Sequence, residues 1–304
     1  MELLKILCAI HAPSGDEGRM TDFLLDYIKT NKKNWNNKPK VFSGGMFQDA
    51  IVLVFGKPRT AIFAHIDSIG FTTRYQNQLV KIGGPVTTDG IRLVSEASST
   101  EVVAELKTAT KAEFVTYTST SSIERGTNLT FFPDFRETED TVQCCYMDNR
   151  LGVWSALQVA ETLKHGIIVF SCREEHSGGS TAHLGQWIYE NYRVSQALIS
   201  DITWVTDGVQ HGEGVVISMR DSGLPRRKFL DKVISIARHS KIAFQLEVEG
   251  SGGSDGIELQ KSAAPWEWCF VGAAESNVHS PDELVHKADI RAMVFLYKYL
   301  MKEL

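Results

Sequence analysis

The stretch that most limits what this chain can fold into is Gly166–Cys172, a continuous apolar run rich in Ile, Val and Phe. A strand with no polar alternation needs apolar neighbours on both faces, which is the pattern of an interior strand in a helix-covered parallel sheet. Its surroundings agree. Leu151, Trp154, Leu157, Ala160 and Leu163 form a helical stripe before it, and a helix carrying Trp187 and Ile188 follows. Gln196–Ser200, Val215–Met219 and Cys269–Ala273 read as further strands. A helix opened by Pro225 and one over Ile290–Leu304, with Asp289 as its N-cap, lie among and after them. Ile242, Phe244, Leu246 and Val248 alternate as a half-exposed strand does. Toward the N-terminus, Ala50–Phe55 and Ala61–Ala64 are strand-sized and buried in character. Ser14–Glu17 reads as a capping box ahead of a stripe of Met20, Phe23, Leu24, Tyr27 and Ile28. The expectation is an α/β fold with a mixed, mainly parallel sheet sandwiched by helices.

Residues 70–140 break this rhythm. Leu79–Ile82, Ile91–Val94, Glu101–Leu106, Glu113–Tyr117 and Asn128–Phe132 are short strand-like runs separated by Gly, Pro, Asp and Ser/Thr clusters, with no amphipathic helix between them. The expected organisation is a catalytic domain of residues 1–69 and 141–304, with a small β-rich accessory domain inserted at 70–140.

Charge removes one class of function. With 32 Lys+Arg against 37 Asp+Glu, the net charge of -5 lacks the basic footprint of a nucleic-acid binder. Five cysteines without CxxC spacing argue against a disulfide framework and for a reducing compartment. No apolar run approaches the roughly 20 residues of a membrane span, and Glu2 and Lys5 interrupt the first ten residues, unlike a signal-peptide core. A soluble, cytoplasmic protein is expected.

In such a sheet, ligands gather at the carboxyl ends of the strands. Ala61–Ala64 runs into His65-Ile66-Asp67, and Val142–Met147 ends at Asp148. Gly166–Cys172 leads to Glu174-Glu175, Gln196–Ser200 to Asp201, and the loop after Cys269–Ala273 carries His279. Each residue alone has a plain reading as a cap, a turn or a solvated charge; joint placement at strand ends gives them weight. Two histidines and three carboxylates suit two divalent cations that share one bridging carboxylate. Asp148, Glu175 and Asp201 bring minus three against plus four, and one hydroxide closes the balance. Without cations, the same carboxylates meeting in a cleft would repel.

The motifs Pro13-Ser14-Gly15-Asp16-Glu17, Ala64-His65-Ile66-Asp67-Ser68-Ile69-Gly70-Phe71, Asp148-Asn149-Arg150-Leu151-Gly152, Glu174-Glu175, Asp201, Gly252-Gly253-Ser254-Asp255-Gly256 and His279-Ser280-Pro281-Asp282-Glu283 stand in this order. The chain thereby resembles the glutamyl and deblocking aminopeptidases, metallopeptidase family 42, dinuclear enzymes related to the bacterial leucyl aminopeptidases. The resemblance implies a zinc-exopeptidase-like fold in which Asp148 bridges two divalent ions, zinc first, with cobalt or manganese as alternatives. It implies that His65 and Asp201 hold one ion and Glu175 and His279 the other. Glu174 would be the general base, and Asp67 would orient His65 from behind. Peptide substrates and a homo-oligomer are implied as well, since in relatives the inserted domain helps to build dimers and hollow dodecamers.

The chain departs from the family's pattern at His176-Ser177-Gly178-Gly179-Ser180 and Ala274-Glu275-Ser276-Asn277-Val278. Both stretches border the expected substrate pocket. His176 and Asp255 are candidate substrate contacts. The expected function is removal of N-terminal residues from peptides by a metal-activated water with a glutamate base. The rival readings are a related dinuclear deacylase or carboxypeptidase, and an inactive metal-binding scaffold.

Overall fold

A computed structural model describes residues 1–97, 101–108, 114–176 and 178–304. Glu113 of the expected strand Glu113–Tyr117, and Ser177, lie outside the described residues. In chain order, the first strands are β1 (Lys40–Ser43), β2 (Ile51–Phe55) and β3 (Ala61–His65). β4 (Gly70–Thr73), β5 (Gln78–Ile82), β6 (Arg92–Ser95), β7 (Ala104–Lys107), β8 (Val115–Thr118) and β9 (Asn128–Phe131) follow. After them come β10 (Arg136–Glu137), β11 (Thr141–Gln143), β12 (Gly166–Ser171), β13 (Gln196–Trp204), β14 (Val215–Ser218), β15 (Phe244–Glu247), β16 (Glu267–Ser276) and β17 (Leu284–His286). The helices are α1 (Glu2–Cys8), α2 (Gly18–Asn31), α3 (Met147–Ala160), α4 (Thr181–Tyr192), α5 (Arg227–Ser240), α6 (Asp255–Lys261) and α7 (Lys287–Glu303).

The apolar run becomes β12, buried at every position, and it sits between β2 and β3. Across the sheet the order is β1-β2-β12-β3-β13-β16-β17-β11-β10, with β14 and β15 branching from β16. The middle strands β12, β3, β13 and β16 run parallel. The flanks turn antiparallel, through β2 on one side and β14 and β17 on the other. This α/β sheet is mixed, with its parallel strands in the centre where helices cover it. α3 packs on β3 and β13 and against α1 and α7; α6 packs on β13 and β16 and carries α4.

The β-rich stretch closes into a barrel, β4-β5-β8-β7-β6-β9. Its interior holds Phe71, Leu79, Leu93, Leu106, Leu129 and Phe131. The Phe71 and Phe131 rings meet edge-on with centroids 5.9 Å apart, and Phe131 stacks at 6.0 Å on Tyr146, just before α3. This aromatic chain joins the barrel to the helix layer.

Several local expectations are corrected. Ser14 does not cap a helix: its hydroxyl donates to Asp67, and α2 begins only at Gly18. Glu17 instead accepts the amides of Gly15, 2.9 Å, and Arg173, 3.1 Å. Asp289 lies inside the first turn of α7, where the Nδ1 of His286 caps the amide of Ala288. Its carboxylate accepts the amides of Gly212 and Gly214, both at 2.8 Å. In the alternating stretch the faces are reversed at the edge: Leu246 and Val248 are exposed while Glu247 is buried. Among the described residues β15 pairs only with β14, and its inner face looks onto a polar cleft instead of a helix.

Candidate metal centre

Register brings the chemistry together. β3 ends on His65, and β12 lies beside it with Ser171 opposite His65, so Arg173, Glu174 and Glu175 emerge just beyond the sheet. Asp201 is not at the end of its strand, since β13 continues beside β16 as far as Trp204. β3, however, accompanies β13 only up to the pair Phe63–Ile199. Asp201, two residues further on, therefore stands level with His65 at an edge that β3 leaves open. Asp148 sits in the first turn of α3, where its backbone and that of Asn149 leave helical geometry. The Asp148–Asn149 peptide is cis. His279 comes from the turn between β16 and β17.

All five expected ligands converge. His65 Nε2 lies 3.1 Å from Asp148 Oδ1 and 3.6 Å from Asp201 Oδ2. His279 Nε2 lies 3.2 Å from Asp148 Oδ2 and 3.2 Å from Glu175 Oε2. Donor atoms of His65, Asp148 and Asp201 fall within 4.8 Å of one another, as do those of Asp148, Glu175 and His279. The two triads share Asp148. Glu174 belongs to neither, and its Oε2 stands 4.0 Å from His65 Nε2.

This cluster is short of positive charge. Burial works against both imidazolium ions, yet the surrounding carboxylates override it. Asp148 and Glu175 leave His279 pushed up to about 12, and Asp201, Asp148 and Asp67 hold His65 well above its ordinary range. Burial drives Glu174 and Asp201 well above the usual carboxylate range and also raises Glu175. Asp148 is held low against its burial by hydrogen bonds from His279 and His65. In this cluster, His65 Nδ1 and Glu175 Oε1 are buried and make no hydrogen bond among the described residues. Imidazole nitrogens and carboxylate oxygens grouped this way form a donor set that fits first-row divalent cations.

The surroundings hold these groups in place. Asp67 lies 3.5 Å from His65 Nδ1, and it also accepts the amides of Glu174 and Glu175, each at 3.1 Å. The fully buried Arg150 donates to the carbonyls of Ile66 and Asp67. Glu283, also fully buried, accepts the amides of His279 at 2.9 Å and Asp148 at 3.3 Å. Sequence reasoning missed Glu283 as a support; its place four residues after His279 was the available signal. Gly83 and Gly84, in the loop after β5, approach the centre closely: a methyl at Gly84 would stand 3.2 Å from His279 Nδ1. Val86 donates its amide to the His279 carbonyl at 2.9 Å.

The two candidate substrate contacts are not among the described residues that line the main cleft, though Asp255 lines a smaller pocket with Glu174. His176 accepts the amide of Gly83 at 3.0 Å and does not line the main cleft. Asp255 is buried and accepts the hydroxyls of Ser171 and Thr181, each at 2.5 Å. Trp266 and Trp268 are buried away from the cleft, and all five cysteines are buried free thiols. A cleft of about 310 Å³ opens from Asp148, Glu174, Glu175, Asp201 and His279 toward β14 and β15.

Residues 93–296 match the sequence profile of a family described as M42 glutamyl aminopeptidase. The chain belongs to that family. M42 membership makes it a metal-dependent aminopeptidase, a hydrolase of peptide bonds. Solved structures share the fold. An aminopeptidase from the archaeon Desulfurococcus kamchatkensis superposes with a TM-score of 0.86 at 20% identity, over 100% of this chain and 94% of that one. The TET1 peptidase of Pyrococcus horikoshii gives 0.80 at 21% identity, over 100% and 99% of the two chains. A TET aminopeptidase from a marine-sediment Thaumarchaeota archaeon gives 0.83 at 19%, over 100% and 96%. No curated protein matches the sequence.

Proposed function

We propose that this M42 peptidase removes N-terminal residues from peptides at the cluster around Asp148. In this reading His65 and Asp201 would hold one divalent cation, Glu175 and His279 would hold a second, and Asp148 would be their shared ligand. Zinc is the proposed metal. Such cations supply Lewis acidity toward the scissile carbonyl and make a water acidic enough to be deprotonated near neutral pH.

Glu174 is the general base. It takes the proton of the attacking water and delivers it to the departing amine. One observation carries this assignment: each oxygen of Asp148 faces a separate histidine, while Glu174 lies outside both triads yet lines the same cleft. Glu174 and Glu175 lie in the bend and turn that follow β12, where Glu175 meets His279 while Glu174 stands outside both triads. Asp67 orients both through their amides and keeps the His65 imidazole in place.

Residues 70–140 act as an accessory domain whose loop at Gly83–Gly84 walls the site. The Pyrococcus horikoshii relative is described as assembling into a tetrahedron or an octahedral shell, and a homo-oligomer is proposed here. Unpaired thiols suit the reducing cytoplasm. No described helix is long and apolar enough to cross a membrane.

Comparing hydrolysis of free-amine, N-acetylated and C-terminally blocked versions of one peptide tests the reading. Turnover of the free-amine and C-terminally blocked forms, with none of the acetylated one, is expected. Turnover of the acetylated form alone would assign a deacylase instead.

A further inference from the structure

The cleft beyond the metal ligands has a polarity of its own. Asp201 and Thr203 are alternate residues of β13, so they share a face about 7 Å apart. The Thr203 hydroxyl donates to the buried carboxylate of Glu247, on β15. Asp221 and Glu249 line the same cavity, and no lysine or arginine is among the described residues around it. Arg220, the nearest basic neighbour in sequence, turns its guanidinium to the carbonyl of Asp221 at 3.1 Å.

The charge balance makes these acids conspicuous. Asp148, Glu175 and Asp201 with one hydroxide balance two divalent cations, and Glu174 stands beside them as the base. Asp221, Glu247 and Glu249 are further acids lining one continuous cavity of about 310 Å³, with Asp221 accepting the Gly223 amide at 2.5 Å and the Ser254 hydroxyl at 3.1 Å. Glu174, Glu175 and His279 line this same cavity, so the space is continuous with the reacting centre. The same cavity is lined by apolar surfaces from Ile202, Trp204 and Phe270. Gly252 packs closely on the Trp204 indole, where a methyl would stand 3.0 Å from the ring, and this holds the loop against it.

An apolar stem ending in a cation fits such a cleft. Lysine and arginine side chains have that form, and their stems can lie along an indole face while the charged tip reaches a carboxylate. We propose that this cleft selects peptides whose N-terminal residue is lysine or arginine. The inference rests on the aminopeptidase reading and adds the substrate class. It runs against the glutamyl substrates named in the family's description, because an acidic side chain would meet Asp221, Glu247 and Glu249 with no cation to pair it. The free α-amine is common to all aminopeptidase substrates and cannot by itself distinguish among them. Burial raises Glu247 and Asp221, so an arriving cation is also what favours their ionised forms.

The test measures kcat/KM on Lys-, Arg-, Leu- and Glu-aminomethylcoumarin with the metal-loaded full chain. Lys and Arg should exceed Leu by about tenfold or more, with Glu the poorest. In Glu247→Gln the Lys-to-Leu ratio should fall by about tenfold. Should that variant fail to fold through loss of the Thr203 contact, Glu249→Lys at the cleft rim carries the test: its Lys-to-Glu ratio should fall by a comparable factor. Leu or Glu preferred by the parent, or ratios unmoved in the variants, would overturn the basic-residue assignment while leaving the peptidase reading intact. No turnover of any of the four would overturn both.

Discussion

Asp67 accepts the backbone amide of Glu174 on Oδ1, 3.1 Å away, while its other oxygen takes the amide of Glu175. One buried carboxylate thus sets the direction of the two glutamates that follow β12, and its Oδ1 also stands 3.5 Å from His65 Nδ1. Asp67→Asn keeps the shape but replaces one acceptor with a donor facing an N–H. The expected result is a loss of about 10–100-fold in metal affinity or kcat. Calorimetric metal titration alongside steady-state rates checks it; wild-type values for both would remove Asp67 from the account.

Glu174→Gln leaves every atom of the two triads in place and removes only the proton acceptor. Bound metal should stay at the wild-type ratio while kcat falls by about 10²–10⁴-fold. Elemental analysis and kinetics on one sample decide. Full turnover in the variant would require another base.

Much of this site was readable because it depends on strand ends. The apolar runs of β3 and β12 are bounded sharply in sequence, so period and position mark His65, Glu174 and Glu175 as candidates, while their roles came from the family resemblance. Asp201 was found for an incomplete reason. Its strand does not stop there; the neighbouring β3 does, and pairing length is a property of two segments that neither reveals alone. Ser14 and Glu17 mimic a capping box, but both side chains are drawn to partners far along the chain, Asp67 and Arg173. Glu247 was hidden for the opposite reason. Alternation reports which residues differ in face, not which face is buried, and an edge strand beside a polar cleft reverses the usual assignment.

Gly152 marks a point where α3 and β13 touch. A methyl there would overlap the carbonyl oxygen of Ser200 and the Oδ1 of Asn149, the atoms that tie Asn149 to β13 and to the Gly152 amide. Gly152→Ala should cost about 3 kcal/mol through overpacking. Chemical denaturation measures this, and an unchanged midpoint would show that the helix shifts freely.

His11 links the N-terminal segment to the barrel, with Nδ1 3.0 Å from Thr130 Oγ1 and Nε2 unpartnered and buried. Burial holds its imidazole down at about 4 from an ordinary 6.5. The unfolded chain therefore binds the proton first as pH falls. Stability from this group is intact above pH 6.5 and declines between 6.5 and 4, by up to about 3 kcal/mol. Urea denaturation at pH 7 and pH 5 should show a smaller acid-side loss in His11→Gln than in the parent. Equal losses would place the titration elsewhere.

The central claim is that a single carboxylate joins two cation sites, and metal counting on Asp148→Ala tests it most directly. The parent, stripped and reloaded with zinc, should hold two ions per chain. The folded variant should hold none at the same free zinc, since each triad loses its shared ligand. Two ions per chain in Asp148→Ala would contradict the bridge and the mechanism built on it.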